Sequence, residues 1–382
     1  MKENISLLEH FKKLEDPRSP RNQLHSFSDV IVITICGIIC GATTWIDIVT
    51  FAQAKQSWLK DTLGLALLNG IPSNDTFGRI FSLIKPDALQ ECFSSWLESI
   101  TKVNEGEIIA IDGKTLRRSH DSNKSAAHIL NAMATESGLC IGQLATEEKS
   151  NEITAIPELL KTLTIKGCIV TIDAMGCQKE IAQTIIKSSA QYVLALKGNQ
   201  GALHSSVSCF LEKAYLQKFK NINHSYYETA VEKDHGRIEQ RFCWVVPVKP
   251  YANYFEKINE WSNLKSIVLV ESKVRIVKTK EERREKRFYI TSLEPDAELL
   301  ARAIRRHWMI ESSLHWSLDV VFREDDSRIR IGESPVNFST CRQIARNYLK
   351  NETTCKNGIS AKQLKAALDD SYREKVLGLS GM

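Results

Sequence analysis

The stretch from Glu107 to Lys197 restricts the fold more than any other part of this chain. It opens with EIIAIDGKTLRRS, in which Asp112 ends an apolar run of Ile108, Ile109, Ala110 and Ile111. HILNAMAT and LCIGQLAT follow, then a helical segment, GCIVTIDAMG with Asp173, a second helical segment and QYVLALKGNQ. By hydrophobic period the order is strand, strand, strand, helix, strand, helix, strand. Glu136-Ser137-Gly138 joins the second and third strands as a hairpin turn. A strand–helix–strand crossover favours parallel pairing, so the Asp173 strand is expected beside the Asp112 strand. Each acid follows an apolar run and precedes a small or glycine-containing turn. A carboxylate in such a place is costly to bury alone, and two at matching places point to a shared cation.

The whole chain is too long for one small domain, and two or three are expected in its 382 residues. A formal charge of +5 permits a nucleic-acid partner without arguing for one. The ten cysteines include no CxxC pair, so they are expected to be buried thiols in a reducing compartment. The polar N-terminus lacks the apolar core of a signal peptide, and the run from Val30 to Thr43 is too short for a membrane span. A soluble intracellular protein with no membrane partner is the expectation.

Residues 1–104 are predicted to form a small all-helical domain. Ile5, Leu8, Phe11 and Leu14 recur at helical spacing before the breaker cluster Asp16-Pro17-Arg18-Ser19-Pro20. Ser28-Asp29 is the predicted cap of a helix apolar on every side, VIVITICGIICGATT. Helical runs IDIVTFAQAKQSWLKDTL, NDTFGRIFSLI and PDALQECFSSWLESI follow. The run after Ser73-Asn74 suits the second helix of a DNA-reading helix-turn-helix; a structural cap on the next domain is the alternative.

Residues 200–296 read as a β-rich insertion. YYETAV and RIEQRFCWVVPV are predicted strands around the turn Lys233-Asp234-His235-Gly236, where His235 and Arg237 are DNA-contact candidates, and SIVLVESKVRIV and KRFYITSL around the charged turn KTKEERRE. The basic stretch Lys273–Arg287, with Arg283, Arg284 and Arg287, is expected either to contact phosphates or to pair locally with Glu281, Glu282 and Glu285. After Pro295-Asp296 one long helix is predicted, with Leu300, Ile304, Trp308, Leu314 and Leu318 on its apolar face and Glu311 on that same side. Trp308 and Trp316 are expected in the core. A charged loop, FREDDSRIRIG, leads to the last helices.

Three acids thus stand out: Asp112 on the first strand, Asp173 ending the fourth and Glu311 on the final helix. This order resembles the ribonuclease H-like fold of nucleases, integrases and transposases, in which three such carboxylates converge. Carboxylate oxygens are hard ligands that suit Mg²⁺ or Mn²⁺, and a cation relieves their mutual repulsion. Two ions so held activate the attacking oxygen of a phosphodiester cleavage and stabilise the leaving one. No zinc spacing, serine-hydrolase elbow or P-loop competes. Lys114, Arg117 and Arg118 follow the first acid, and Lys197 and Asn199 end the last core strand, so all five are phosphate-contact candidates.

Longer blocks carry a more specific resemblance. AIDGKTLRRS, KSNEITAIPELL, VTIDAMGCQKEIA, YVLALKGNQ, EKDHGRIEQR and HWMIESSLHWSLDVVFREDDSR are similar to the DDE transposases of the ISAs subgroup of insertion sequences, the H-repeat-associated proteins. LEDPRSPRNQLHSFSDV and IPSNDTFGRIFS resemble the helical domain preceding the catalytic region there. The resemblance implies an α/β fold with a ribonuclease H-like catalytic core at 105–199 and 297–350, the insertion at 200–296 and a helical tail at 351–382. It implies Asp112, Asp173 and Glu311 as catalytic and metal-binding residues, with two Mg²⁺ or Mn²⁺ ions as cofactor. It further implies metal-dependent cleavage at inverted-repeat DNA ends, strand transfer into target DNA, a homodimer on DNA and a prokaryotic cytoplasmic setting. A derived DNA-binding protein and a nuclease without strand transfer are the alternatives. The wider group often carries Tyr-x2-Arg-x3-Glu-x6-Lys around the final acid; here those positions hold Ile304, His307, Glu311 and Leu318. Arg306, His307 or His315 are candidates for the missing DNA-end contacts.

Overall fold

The computed structural model describes residues 7–120, 125–146, 152–234 and 236–379. The N-terminal helices are α1 (Leu7–Phe11), α2 (Phe27–Ile39), α3 (Trp45–Ala54), α4 (Gln56–Asp61), α5 (Asn74–Leu83) and α6 (Pro86–Ile100). Strands β1 (Ile108–Thr115), β2 (His128–Ala134) and β3 (Leu139–Thr146) follow, then α7 (Glu152–Thr162), β4 (Ile169–Ile172), α8 (Lys179–Lys187) and β5 (Gln191–Leu196). Next come α9 (Gly201–Leu216), β6 (Ser225–Glu228), β7 (Glu232–Asp234), β8 (Arg237–Pro247), β9 (Ser266–Ile276) and β10 (Glu282–Thr291). The chain closes with α10 (Ala297–His307), α11 (Ser334–Asn351), α12 (Ile359–Leu368) and α13 (Asp370–Val376). Among the described residues no helix is long and apolar enough to cross a membrane.

These elements form two compact units. One comprises Met1–Lys102, Gly113–Asn151 and Glu311–Met382; the other comprises Val103–Asp112 and Glu152–Ile310. The N-terminal helices therefore share a unit with α11 to α13, where the sequence sets boundaries at 104 and 351.

The first unit is built on α11, whose residues from Ser334 to Leu349 are all buried. It touches α2, α5, α6 and β3. A helix buried all round is normally apolar, but this one carries polar side chains, and each needs a partner. Asn337 donates to the carbonyls of Phe81 and Ile84 at 2.8 and 2.9 Å. Asn347 accepts from the Cys140 N–H at 3.0 Å and donates to its carbonyl at 2.7 Å, so it pairs with β3 as a neighbouring strand would. Arg346 donates to the Gly138 carbonyl and to Ser317 Oγ. The C-terminal helices are also tied in: Gln363 donates to the Ile38 carbonyl at 3.1 Å, and the buried Arg373 guanidinium lies 3.8 Å from the Trp58 ring centroid. The cap of α2 is Ser26, whose Oγ accepts from the Asp29 N–H, two residues ahead of the predicted cap.

His315 is buried in this unit, with Asn131 Nδ2 3.5 Å from its Nε2. Burial, with Lys114, Arg346 and His128 adding to it and Glu324 opposing, pushes its pKa down to about 4. The unfolded chain takes up a proton near pH 6.5, whereas the folded one does so only near pH 4. The histidine's contribution is thus complete above pH 6.5 and is lost as pH falls toward 4. Across that window stability should fall by up to about 1.4 kcal/mol per pH unit from this group. His315→Gln should flatten the slope in urea denaturation at pH 7 and pH 5; an unchanged slope would reject the assignment.

In the second unit the strand order is β1-β4-β5-β10-β9-β8-β6, with β7 also on β8. β1, β4 and β5 are parallel, as the crossovers through α7 and α8 require. β10 pairs antiparallel with β5, setting Phe288–Thr291 against Val193–Leu196. The insertion therefore covers what would be an exposed edge of the core sheet and continues that sheet. It also contains the sixteen-residue helix α9, in a stretch predicted as β-rich. The predicted turn KTKEERRE is shorter than expected, because Glu282 to Glu285 already lie in β10. Helix α10 packs Leu300, Ala303 and Ile304 onto Ile108, Ile169, Val193, Val245 and Val268.

The final helix is not continuous. α10 ends at His307, and π-helical turns span Ile310–His315 and Ser317–Val321. A π turn closes over an extra residue and shifts the helical phase. Glu311 is consequently exposed, not on the buried face with Leu314 and Leu318. Trp316, predicted to be core, is 55% exposed for the same reason.

Candidate active site

β1 and β4 are paired in register, with Ile108 opposite Ile169 and Ile111 opposite Ile172. Asp112, inside β1, and Asp173, just beyond β4, are the next residues along, so both acids lie where the parallel pairing of these two strands, about 4.8 Å apart, stops. Asp112 is half-buried and Asp173 exposed.

The Asp173 side chain is held by the turn it starts. Its Oδ1 accepts from the Met175 and Gly176 N–H groups at 3.0 and 3.3 Å. At Gly176 a Cβ would lie 2.3 Å from Ile172 Cγ2, so only glycine lets the turn fold down on the strand. Asn199 donates to the Ala174 carbonyl at 2.6 Å, and Gln200 to the Cys177 carbonyl at 2.8 Å. The end of β5 thus clasps the turn carrying the acid. Asn199, expected at a phosphate, has its amide engaged in that clasp, while Lys197 is exposed. His307 Nδ1 lies 3.1 Å from Thr171 Oγ1, two residues before Asp173. Burial lowers the His307 pKa, with Asp173 pulling the other way, so the imidazole is neutral at pH 7.

Glu311 belongs to the first unit and opens its π-helical segment, the two aspartates to the second. Hard oxygen donors at the paired strand ends fit Mg²⁺ or Mn²⁺ in chemistry. Among the described residues, no group of three His, Cys, Asp or Glu side chains is gathered closely enough to hold a metal ion.

Lys114 departs most from expectation. It is buried, and its Nζ lies 2.7 Å from Asp319, 2.9 Å from Asp325 and 3.2 Å from Glu324. Burial pulls its pKa down, but the three carboxylates outweigh it and the net direction is upward. The ammonium is already surrounded by anions, so a phosphate contact is not what this geometry offers. Arg117 and Arg118 are exposed and pair with Asp325 at 3.1 Å and Asp326 at 3.7 Å. This acidic cluster was visible in the sequence only as a charged loop; its link to β1 is tertiary.

The other cationic candidates are scattered. His235 lies outside the described residues, and Arg237 is exposed at the start of β8. Arg283, Arg284 and Arg287 pair with Glu281, Glu282 and Glu285 at 2.8 to 2.9 Å, each partner two residues earlier along the chain. Arg287 also lies over the Trp308 ring, 4.8 Å from its centroid. Arg306 is half-buried.

Likeness to known proteins identifies the family. The sequence matches the family described as Transposase DDE domain over residues 104–348, and the one described as DDE_Tnp_1-associated over residues 8–97. The chain belongs to the DDE-domain transposase family. It is 42% identical over 380 residues to the H repeat-associated putative transposase YhhI of Escherichia coli K12, covering 98% of each chain. It is also 42% identical over 378 residues to the putative transposase YncI of Escherichia coli O157:H7, covering 97% of this chain and 94% of that one. A cryo-EM structure of a piggyBac transposase synaptic complex with hairpin DNA aligns over 98% of this chain and 78% of its own, at 11% identity and a TM-score of 0.44, too low to bear on the fold.

Proposed function

We propose that the chain is an insertion-sequence transposase that cleaves phosphodiesters at the inverted-repeat ends of its element and joins the freed 3′-hydroxyl to target DNA. The observation that carries this reading is that Asp112 and Asp173 directly follow the last paired residues of parallel β1 and β4, in a member of the DDE-domain family. A ribonuclease H-like core is part of the proposal, supported by the parallel β1, β4 and β5 with helical crossovers and by the antiparallel β2–β3 hairpin. Asp112, Asp173 and Glu311 would hold Mg²⁺ or Mn²⁺, proposed as two ions. Bound there, the metal supplies Lewis acidity toward the attacking and leaving oxygens.

The chain's own residues prepare that site. The Met175 and Gly176 amides fix one oxygen of Asp173 and leave its orientation set before any ligand arrives. Asn199 and Gln200 hold the turn from the neighbouring strand. Thr171 fixes the neutral His307 ring beside them. Exposed Lys197, beyond the end of β5, supplies positive charge toward a phosphate. Two ends must be brought together, so a homodimer on DNA in the prokaryotic cytoplasm completes the proposal.

The test is a nicking and joining assay. Purified full-length chain is incubated with Mg²⁺, a duplex carrying the inverted repeats that flank its gene, and a supercoiled plasmid target. Nicking at the repeat end and a joined product are expected, both lost on chelation. Nicking without joining would favour the nuclease alternative. End binding without nicking in Mg²⁺ or Mn²⁺ would favour the DNA-binding alternative.

A further inference from the structure

Within the first unit, α5 and the segment Arg328–Ile331 face each other across an open groove of about 940 Å³. Arg79 lines one wall and Arg328 and Arg330 the other, with Asp75 the one carboxylate on the lining. Among the described residues none of these three guanidinium groups pairs with a carboxylate; Arg330 Nε donates to the Arg118 carbonyl at 2.9 Å. Small polar side chains, including Ser73, Thr76 and Ser82, fill the lining between them. The contrast with the cationic groups near β1 and on β10 is electrostatic. Lys114, Arg117 and Arg118 are matched by the acidic loop, and the arginines of β10 by glutamates two residues earlier in the chain. The groove keeps its positive charge.

The walls are also fastened to each other. The Glu333 N–H donates to the Ser82 carbonyl at 3.2 Å, Ser334 Oγ to the Gly78 carbonyl at 3.2 Å, and Asn337 to the Phe81 carbonyl at 2.8 Å. Gly332 makes the approach possible: it adopts φ +52°, and a Cβ there would meet the Ser82 carbonyl oxygen at 2.6 Å. One wall comes from the N-terminal helices and the other from the chain beyond Glu311, joined by hydrogen bonds that do not involve the arginines. The groove is therefore formed before any ligand binds.

We propose that this groove binds the phosphodiester backbone of duplex DNA, through Arg79, Arg328 and Arg330. Guanidinium forks match phosphate oxygens in charge and geometry, and an unpaired one that neutralises a phosphate releases counterions condensed on the DNA. The proposal rests on the reading of the chain as a DNA-transacting enzyme and assigns the surface that holds the DNA. It requires no chemistry, so it is tested in chelator, where cleavage cannot occur.

Fluorescence anisotropy with a labelled duplex, titrated with salt, measures the slope of log affinity against log salt. Each lost phosphate contact lowers that slope by about 0.9 on duplex DNA. Arg79→Gln with Arg328→Gln should therefore flatten it by about two units, and the Arg79→Lys, Arg328→Lys protein should retain the slope. Both pairs are exposed, and an unchanged thermal midpoint verifies folding. Arg283→Gln, Arg284→Gln and Arg287→Gln together should flatten it less, because those arginines already have local counter-charges. An unchanged slope in the folded groove variant overturns the proposal, as does a larger flattening from the β10 triple. If the unaltered chain shows no salt-dependent binding to duplex at all, the transposase reading fails together with it, which separates that failure from loss of the groove alone.

Discussion

Metal-dependent cleavage is expected to fall by about 10²–10³-fold or more when Asp112 or Asp173 is replaced by asparagine, the range for removing one preorganised electrostatic group. The structure makes Asp173→Asn a discriminating change. Its Oδ1 accepts from two turn amides, and an asparagine oxygen can accept in the same place. The turn, the Gly176 contact and the clasp from Asn199 should therefore persist while the negative charge is lost. Glu311→Gln is expected to behave alike, with DNA binding in chelator kept for all three. Cleavage within about threefold of the unaltered protein in any one of them would remove that residue from the proposed set. Loss of binding along with cleavage would point to damage beyond the charge.

The second large effect is on stability. Lys114→Met should destabilise the first unit by about 3–5 kcal/mol, the usual cost of breaking a buried ion network from one side. Glu324 explains the size: its side chain is 1% exposed, it accepts from Ser339 Oγ at 2.8 Å, and its other cation, Arg342, is 3.8 Å away. With Lys114 gone, Glu324, Asp319 and Asp325 would face one another with far less positive charge among them. Asp319 is already under that pressure, since burial, Asp325 and Glu324 raise its pKa against the pull of Lys114. Urea denaturation followed by tryptophan fluorescence measures the effect. Lys114→Met combined with Asp319→Asn should recover part of the loss by removing one unpaired anion. A single variant within about 0.5 kcal/mol of the unaltered protein would show that the network contributes little.

Much of this arrangement is written locally in the sequence. The apolar runs before Asp112 and Asp173, and the helical segments between them, dictate parallel strands with their acids at matching ends, because crossovers permit little else. The period of α6 and the all-apolar face of α2 are equally legible. Helix α9 carries its own signal, with Leu203, Val207, Leu211 and Ala214 at helical spacing, although strand patterns dominate the insertion around it. Other features are set by contacts between distant segments. The π turns after His307 change which residues face inward, and a period of 3.6 cannot anticipate a change of period. Lys114 turns from phosphate candidate to the centre of an ion network because the acidic loop more than two hundred residues later reaches it, and no local pattern encodes that meeting. Arg79 and Arg328 share one groove for the same reason: α11 brings the chain beyond Glu311 back onto α5, where Ser334 and Asn337 donate to backbone carbonyls more than two hundred residues earlier. The local sequence determined the strands and the acids at their ends; which cations are neutralised and which remain available was decided by the tertiary fold, because charge pairing depends on distances in space and not along the chain.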